Sequence, residues 1–374
     1  MIRLSKSIIG KDERKAVENV LKKEFLGTGS ETQAFEIELS SYLGGDVEIA
    51  CTNTGTAALH LALQACGLCK GDEVLIPTLT YLASFQAISA TGAKPIPCDV
   101  YENSGLIDLD DAGKRITSNT KAIMPVHYTG YVGELDRVYK FAKDYNLRVI
   151  EDAAHAFGST YKGNRIGSIG DIVCFSFDGI KNITSGEGGA IVSKDKAVMQ
   201  KVKDARLLGV LKDTEKRYEG KRSWEFDVTT QGWRYHMSDI MASIGRVQLR
   251  RFETEFKPQR IKLHKHYRKI LNGIDSIRLL KTDVDTVVPH IMPIRVIRGI
   301  RNHVRKYLEK ENIQTGIHYK PNHLLTYYSG SKVALPVAEK LYKEFLTLPL
   351  HPDLNVEDVE FICGKLKKSI KGSL

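Results

Sequence analysis

Across 374 residues the chain carries 42% hydrophobic and 27% charged residues and a formal charge of +10, a globular composition that excludes disordered, collagenous and membrane-embedded classes. No apolar run approaches the roughly 20 residues of a bilayer span, and Met1-Ile2-Arg3-Leu4-Ser5-Lys6 leads into polar sequence rather than a signal-peptide core, so a cytoplasmic location and no membrane partner are expected. A chain this long is expected to bury a large core and to add a second, smaller domain.

From residue 47 to 192, short apolar runs alternate with amphipathic ones. Strands are predicted at 47–51, 73–77, 94–97, 122–126, 148–151, 172–177 and 189–192, and helices at 56–66, 81–90, 134–145 and 196–207. This alternation predicts an α/β fold, a mainly parallel seven-stranded sheet flanked by helices, with ligands beyond the carboxyl ends of the strands. Segment 212–231 is polar and aperiodic and reads as a long excursion near the site. Beyond about Arg251 the pattern turns to charged helices around strand-like pieces at 287–295 and 316–319, punctuated by Pro258, Pro289 and Pro293. The division expected is a large domain at 1–250 and a smaller α+β domain at 251–374.

Basic residues concentrate at 246–269 and 295–310 with helical periodicity, which suits a solvated face or attraction of a diphosphate-bearing substrate; neither run resembles a nucleic-acid module. The six cysteines sit mostly in apolar stretches, as reduced core thiols do, and Cys66-Gly67-Leu68-Cys69 lacks the second pair or His partner of a zinc site.

Four local patterns carry chemistry. Asp152, in Ile150-Glu151-Asp152-Ala153-Ala154-His155, is a carboxylate at the end of an apolar strand, where it is costly unless it faces a cation such as a protonated pyridine nitrogen. Lys181 lies just past a strand, in a loop closed by Gly186-Glu187-Gly188-Gly189, from which it can reach back to the same crevice; desolvation lowers a lysine pKa in the direction imine chemistry needs. Asn53-Thr54-Gly55-Thr56-Ala57 opens a helix after a strand, so its free N–H groups and hydroxyls suit a phosphate monoester, although simple N-capping explains the same residues. Tyr81, after Pro77-Thr78-Leu79-Thr80, can stack on a flat heteroaromatic ring or simply belong to the core. Together the four follow the chain order of a pyridoxal-phosphate (PLP) site.

At these residues the chain resembles the DegT/DnrJ/EryC1/StrS family of sugar aminotransferases, over nearly its whole length. The resemblance runs through Leu26-Gly27-Thr28-Gly29, Thr54-Gly55-Thr56-Ala57-Ala58-Leu59, Val126-His127, Glu151-Asp152-Ala153-Ala154, Phe175-Ser176-Phe177, Lys181 with Gly186-Glu187-Gly188-Gly189, His318-Tyr319 and Leu348-Pro349-Leu350-His351. It implies an aspartate-aminotransferase-like fold (fold type I) in which Lys181 holds PLP as a Schiff base and then shuttles the proton. Asp152 would pair with the ring nitrogen, Tyr81 would stack on the ring, and Thr54, Gly55, Thr56 and Ser176 would hold the phosphate. His127, Asp178, His318 and Tyr319 would meet the substrate.

Three positions depart from the family pattern. His155 stands where Gln is usual beside the phenolic oxygen, Asp178 where His is usual, and Arg234 at the Asn that reaches the neighbouring subunit's phosphate. The resemblance further implies a homodimer with a shared site, L-glutamate as amino donor, a nucleotide-linked keto-sugar as acceptor, and as product an amino-deoxy sugar for a surface polysaccharide such as O-antigen or another glycoconjugate. Lys181 argues against the family's dehydratase branch, which has His there. A regulatory scaffold without catalysis would not need both Asp152 and Lys181.

Overall fold

The computed structural model describes residues 1–330 and 333–372. The strands are β1 Glu48–Thr52, β2 Glu73–Pro77, β3 Lys94–Cys98, β4 Thr120–Ile123, β5 Arg148–Asp152, the short hairpin β6 Thr160–Tyr161 and β7 Asn164–Arg165, β8 Ile172–Ser176, β9 Gly189–Ser193, β10 Ile277–Leu279, β11 Met292–Val296 and β12 Phe345–Leu348. The helices are α1 Lys11–Lys22, α2 Ser30–Tyr42, α3 Gly55–Ala65, α4 Leu82–Ala90, α5 Leu109–Gly113, α6 Leu135–Asp144, α7 Lys196–Ala205, α8 Asp213–Tyr218, α9 Asp239–Arg251, α10 Lys257–Leu271, α11 Arg301–Lys310, α12 Pro336–Glu344 and α13 Val356–Lys371.

Seven strands form the central sheet in the order β1-β9-β8-β5-β4-β2-β3. The ladders among β8, β5, β4, β2 and β3 are parallel, whereas β9 runs antiparallel to both β8 and β1. Successive strand residues face opposite sides, and both sides are covered. Val74, Ile76, Ala122, Ile150, Ile172, Cys174 and Ile191 join one core, with α3, α4 and α7 residues such as Leu61, Phe85 and Val202. Leu75, Ile123, Val149, Val173, Phe175 and Val192 join the other, with Phe35, Leu39 and Val138. Burial on both faces is why these strands read as continuous apolar runs.

A three-stranded antiparallel sheet, β10-β11-β12, forms the second layer system and packs its own core against α10, α11 and α13. The helical run from α9 continues through a π-helical turn, Phe252–Phe256, into α10, so the 250/251 division falls inside continuous helix. Several expectations are corrected here. The strand expected at 287–295 exists only as β11; Val287, Val288 and Ile291 are buried as loop. Residues 316–319 supply one isolated bridge, Gly316 to Thr347, instead of a strand. The 212–231 excursion contains α8. Cys69, expected among core thiols, is exposed, its Sγ 3.4 Å from Asp72. Arg260 and His264 of the basic run are buried in α10. Among the described residues no helix is long and apolar enough to cross a membrane.

Candidate active site

The carboxyl ends of β1, β2, β5 and β8 converge on a cavity of about 360 Å³, which the 316–319 segment and His290 close from the side of the smaller sheet. Its volume is of the order of small-ligand pockets, ~300 Å³ and above. Thr54, Gly55, Thr56, Tyr81, Asp152, His155, Ser176, Asp178, Lys181, His318 and Tyr319 all line it.

One wall is the start of α3. Thr54 is the N-cap, its Oγ1 accepting from Ala57 N–H at 3.0 Å, which leaves the Gly55 and Thr56 N–H groups free of intrahelical acceptors. Ser176, the last residue of β8, stands directly against this turn: a Cβ on Gly55 would lie 2.8 Å from Ser176 Cβ and 3.0 Å from its Oγ. Behind it, a Cβ on Gly189 would meet Thr54 O at 2.5 Å. Glycine at both positions lets three backbone segments close into a concave group of donors that fits a phosphate.

Asp152 ends β5 and is 5% exposed. Ser84 Oγ donates to its Oδ2 at 2.6 Å and Ala154 N–H to its Oδ1 at 3.1 Å. No cation pairs with it among the described residues. A buried carboxylate held by two donors and left without a counter-charge fits a protonated ring nitrogen in the cavity.

Lys181 sits in the 177–188 loop, whose shape is set by backbone bonds: Phe177 N–H to Gly188 O at 2.8 Å, Ser185 N–H to Phe177 O at 2.9 Å and Lys181 N–H to Asp178 O at 3.0 Å. Asn182 anchors it below, donating to Phe157 O at 3.0 Å and Val288 O at 3.3 Å. The Lys181 amine makes no hydrogen bond or ion pair among the described residues. Burial lowers its proton affinity; Asp152 and Asp178 oppose that and Arg260 adds to it.

The remaining wall is aromatic and imidazole. The Tyr81 ring, 61% exposed, lies 5.7 Å from that of Tyr319, whose Oη is 3.2 Å from His155 Nε2. The His155 and His290 rings are 4.4 Å apart. Burial pushes both imidazoles well below the usual range, with Lys181 adding to it, and takes His318 down to about 4. All three are therefore neutral at physiological pH. Burial raises the Tyr319 hydroxyl, so it keeps its proton.

Two expected residues lie elsewhere. His127 faces a neighbouring cavity, because adjacent residues of a strand point to opposite sides: Asp152 turns to the main cavity while Glu151 turns away and holds His127 Nε2 at 2.6 Å, with Tyr139 Oη at 2.5 Å. Arg234, bridged through its backbone to Leu207, is exposed and outside the cavity of its own chain. Conversely, Ser84 and His290 belong to the site and were not anticipated. Ser84 lies one turn after Tyr81 at the start of α4, a spacing that could have revealed it; His290 had no such signal.

The model of the DegT/DnrJ/EryC1/StrS aminotransferase family matches residues 7–367. GDP-perosamine synthase of Escherichia coli O157:H7 is 35% identical over 364 residues, covering 97% of this chain and 96% of the relative. The spore coat polysaccharide biosynthesis protein SpsC of Bacillus subtilis is 34% identical over 378 residues, with 98% and 96% covered. Among solved structures, a putative sugar aminotransferase of Streptococcus pneumoniae in its PMP form superposes with a TM-score of 0.92 at 32% identity, covering 100% of both chains.

Proposed function

The chain belongs to the DegT/DnrJ/EryC1/StrS aminotransferase family of PLP-dependent sugar aminotransferases, and from that premise we propose that it moves an amino group from L-glutamate to a nucleotide-linked keto-sugar. The observation that carries this reading is one cavity holding an unpaired lysine amine, a carboxylate lacking a counter-cation and a turn of open N–H donors. When bound there, the cofactor supplies an electron sink for the carbon that loses its proton and a store for the amino group between half-reactions.

The protein's own groups divide the work. The N–H groups of Gly55 and Thr56 with the Ser176 hydroxyl would hold the phosphate, and Thr54 caps the turn that presents them. Asp152, oriented by Ser84, would face the ring nitrogen, and Tyr81 would cover the ring. His155 would face the phenolic oxygen, its Nε2 set by Tyr319. Lys181 Nζ, whose proton affinity burial lowers, takes the proton from the donor's α-carbon and later returns one to the sugar carbon that gains nitrogen. One base serves both halves of a ping-pong reaction. Asp178, His318 and Tyr319 line the same cavity and would meet the sugar.

A relative named for a GDP-linked sugar and another named for polysaccharide biosynthesis support a nucleotide-linked acceptor and a product destined for a surface polysaccharide or glycoconjugate. The +10 charge suits a diphosphate. A cytoplasmic homodimer, with Arg234 reaching the partner's phosphate site, completes the proposal; the exposed guanidinium supports that role. The test is a panel of nucleotide keto-sugars incubated with glutamate and PLP, read by mass for exchange of oxygen for amine. A near-visible absorbance band, removed by borohydride and missing in Lys181→Ala, should accompany activity. No exchange with any panel member would remove the sugar assignment.

A further inference from the structure

Among the described residues two arginines, Arg206 and Arg260, are buried almost completely, and of these two only Arg206 has a counter-charge. Arg206, 1% exposed, has Nη1 2.5 Å from Glu36 Oε1 and Nη2 2.8 Å from Tyr218 Oη. Arg260, 2% exposed in α10, donates through Nη1 only to backbone carbonyls, of His290 at 3.1 Å, Pro289 at 3.4 Å and Leu350 at 3.5 Å. Its Nε has no partner, and no carboxylate pairs with it among the described residues. Carbonyl oxygens satisfy donors but do not cancel a charge, and an unpaired buried cation is among the more costly features a core can hold.

Arg260 and Lys181 line the same small cavity beneath the 177–188 loop, together with Gly179, Asn182 and Gln248, none of them acidic. The other cation there, Lys6, is already paired with Asp353 at the surface. On the opposite side, Lys181 feels the charges of Asp152 from the end of β5 and Asp178 from its own loop, both of which favour its ammonium form; Glu187 lines that cavity too. His155, His290 and His318 are neutral, and Tyr319 keeps its proton. Arg260 is thus the fixed positive charge set against two carboxylates.

We propose that Arg260 is a positioning residue for proton transfer: an unpaired guanidinium behind Lys181 that disfavours the ammonium form which Asp152 and Asp178 favour. This rests on the reading of Lys181 as the transaminase base. Burial is the chief cause of the lowered Lys181 proton affinity, and Arg260 adds a smaller contribution in the same direction. A bracket joining the carbonyls of 289, 290 and 350 would need only a donor, not a charge, and the two roles separate on that difference.

The experiment uses apo protein, labelled with acetic anhydride across a pH series, with acetylation of Lys181 quantified by mass spectrometry and exposed Lys140 as internal reference. Wild-type Lys181 should titrate below the ordinary lysine value of about 10.4. In Arg260→Gln, which keeps a donor and loses the charge, the midpoint should rise, so that labelling at neutral pH falls. Arg260→Met, which needs no polar partner, should show the same rise, and Arg260→Lys should keep the wild-type midpoint. A wild-type midpoint in the ordinary lysine range, or an unchanged midpoint in whichever charge-free variant folds, overturns the proposal. Borohydride trapping of PLP on wild-type Lys181 separates the two readings: no trapping sinks the transaminase reading itself, whereas trapping with unshifted midpoints sinks only the role of Arg260.

Discussion

Replacing Gly189, which does not itself line the cavity, with Ala should weaken cofactor binding. Gly189 opens β9, paired with Thr52 on one side and Ser176 on the other, directly behind the start of α3. The added Cβ would lie 2.5 Å from Thr54 O and 2.8 Å from both Gly55 Cα and Gly55 N. Carbon contacts relax at roughly 3.5–4 Å, so the shortfall is about 1 Å, and the obstructing atoms are backbone that no rotamer change can move. The relief available is to push the Thr54–Thr56 turn off Ser176, which separates the donors expected to hold the phosphate. Overpacking of this kind costs about 1–3 kcal/mol, which as lost affinity is roughly a 5- to 150-fold rise in Kd for PLP. Absorbance titration of apo protein measures it. Gly364→Ala, in α13 with no atom beyond its chain neighbours and the helix's own backbone within 4 Å of its new Cβ, is the matched control; it should leave Kd unchanged and add about 0.5–1 kcal/mol of stability as a helix-interior substitution. A Gly189→Ala protein that binds PLP as tightly as wild type, at equal stability, refutes the cradle reasoning.

Other outcomes follow from the same geometry. Ser84→Ala removes the 2.6 Å bond to Asp152, and loss of a hydrogen bond to a charged group, about 1.5–3 kcal/mol, should appear as weaker PLP retention on dialysis with no change in fold by circular dichroism. Glu36→Ala strands Arg206 and also removes the acceptor of Cys51 N–H at 2.7 Å and of Tyr218 Oη at 2.6 Å, so urea unfolding should show a loss of about 3–5 kcal/mol; a loss under 1 kcal/mol would mean the pair is dispensable. Stability should also fall on mild acidification. His236, His264 and His318 are lowered to about 4 chiefly by burial, so the native state binds fewer protons than the unfolded chain between pH 4 and the unfolded value of about 6.5. Their contribution is complete above that window and is lost as pH drops through it. Thermal midpoints should decline across the window, and His264→Gln, remote from the cavity, should flatten part of the decline; identical slopes would contradict the assignment.

The strands of the central sheet were legible because a parallel sheet covered on both faces needs apolar residues at every position, a demand that each strand states in its own residues. Direction is not stated there. β9 runs against its neighbours, yet Gly189–Ser193 is as apolar and as buried as β8, which it opposes. Residues 287–291 were read as strand for a related reason: burial selects Val287, Val288 and Ile291 whether the backbone there pairs or merely floors the cavity. β12 was missed because it follows directly on the amphipathic α12, with no turn residue between them to mark a boundary.

In the active site, the sequence by itself determined the chemical groups: a strand-end acid, a loop lysine, a helix start rich in small residues and a nearby aromatic, each recognisable from its immediate neighbours. The tertiary structure decided which of them meet. It turned Glu151 and His127 to one side of β5 and Asp152 to the other, brought Ser84 onto that carboxylate from a separate strand–helix unit, and supplied His290, His318 and Tyr319 from beyond residue 285. It also drew Arg260 out of a basic run that reads as a solvated face and placed it, unpaired, behind Lys181. The physical reason is that burial and backbone preference act over a few residues and so leave local patterns, whereas the field at one amine sums charges that the chain brings together from more than a hundred positions apart.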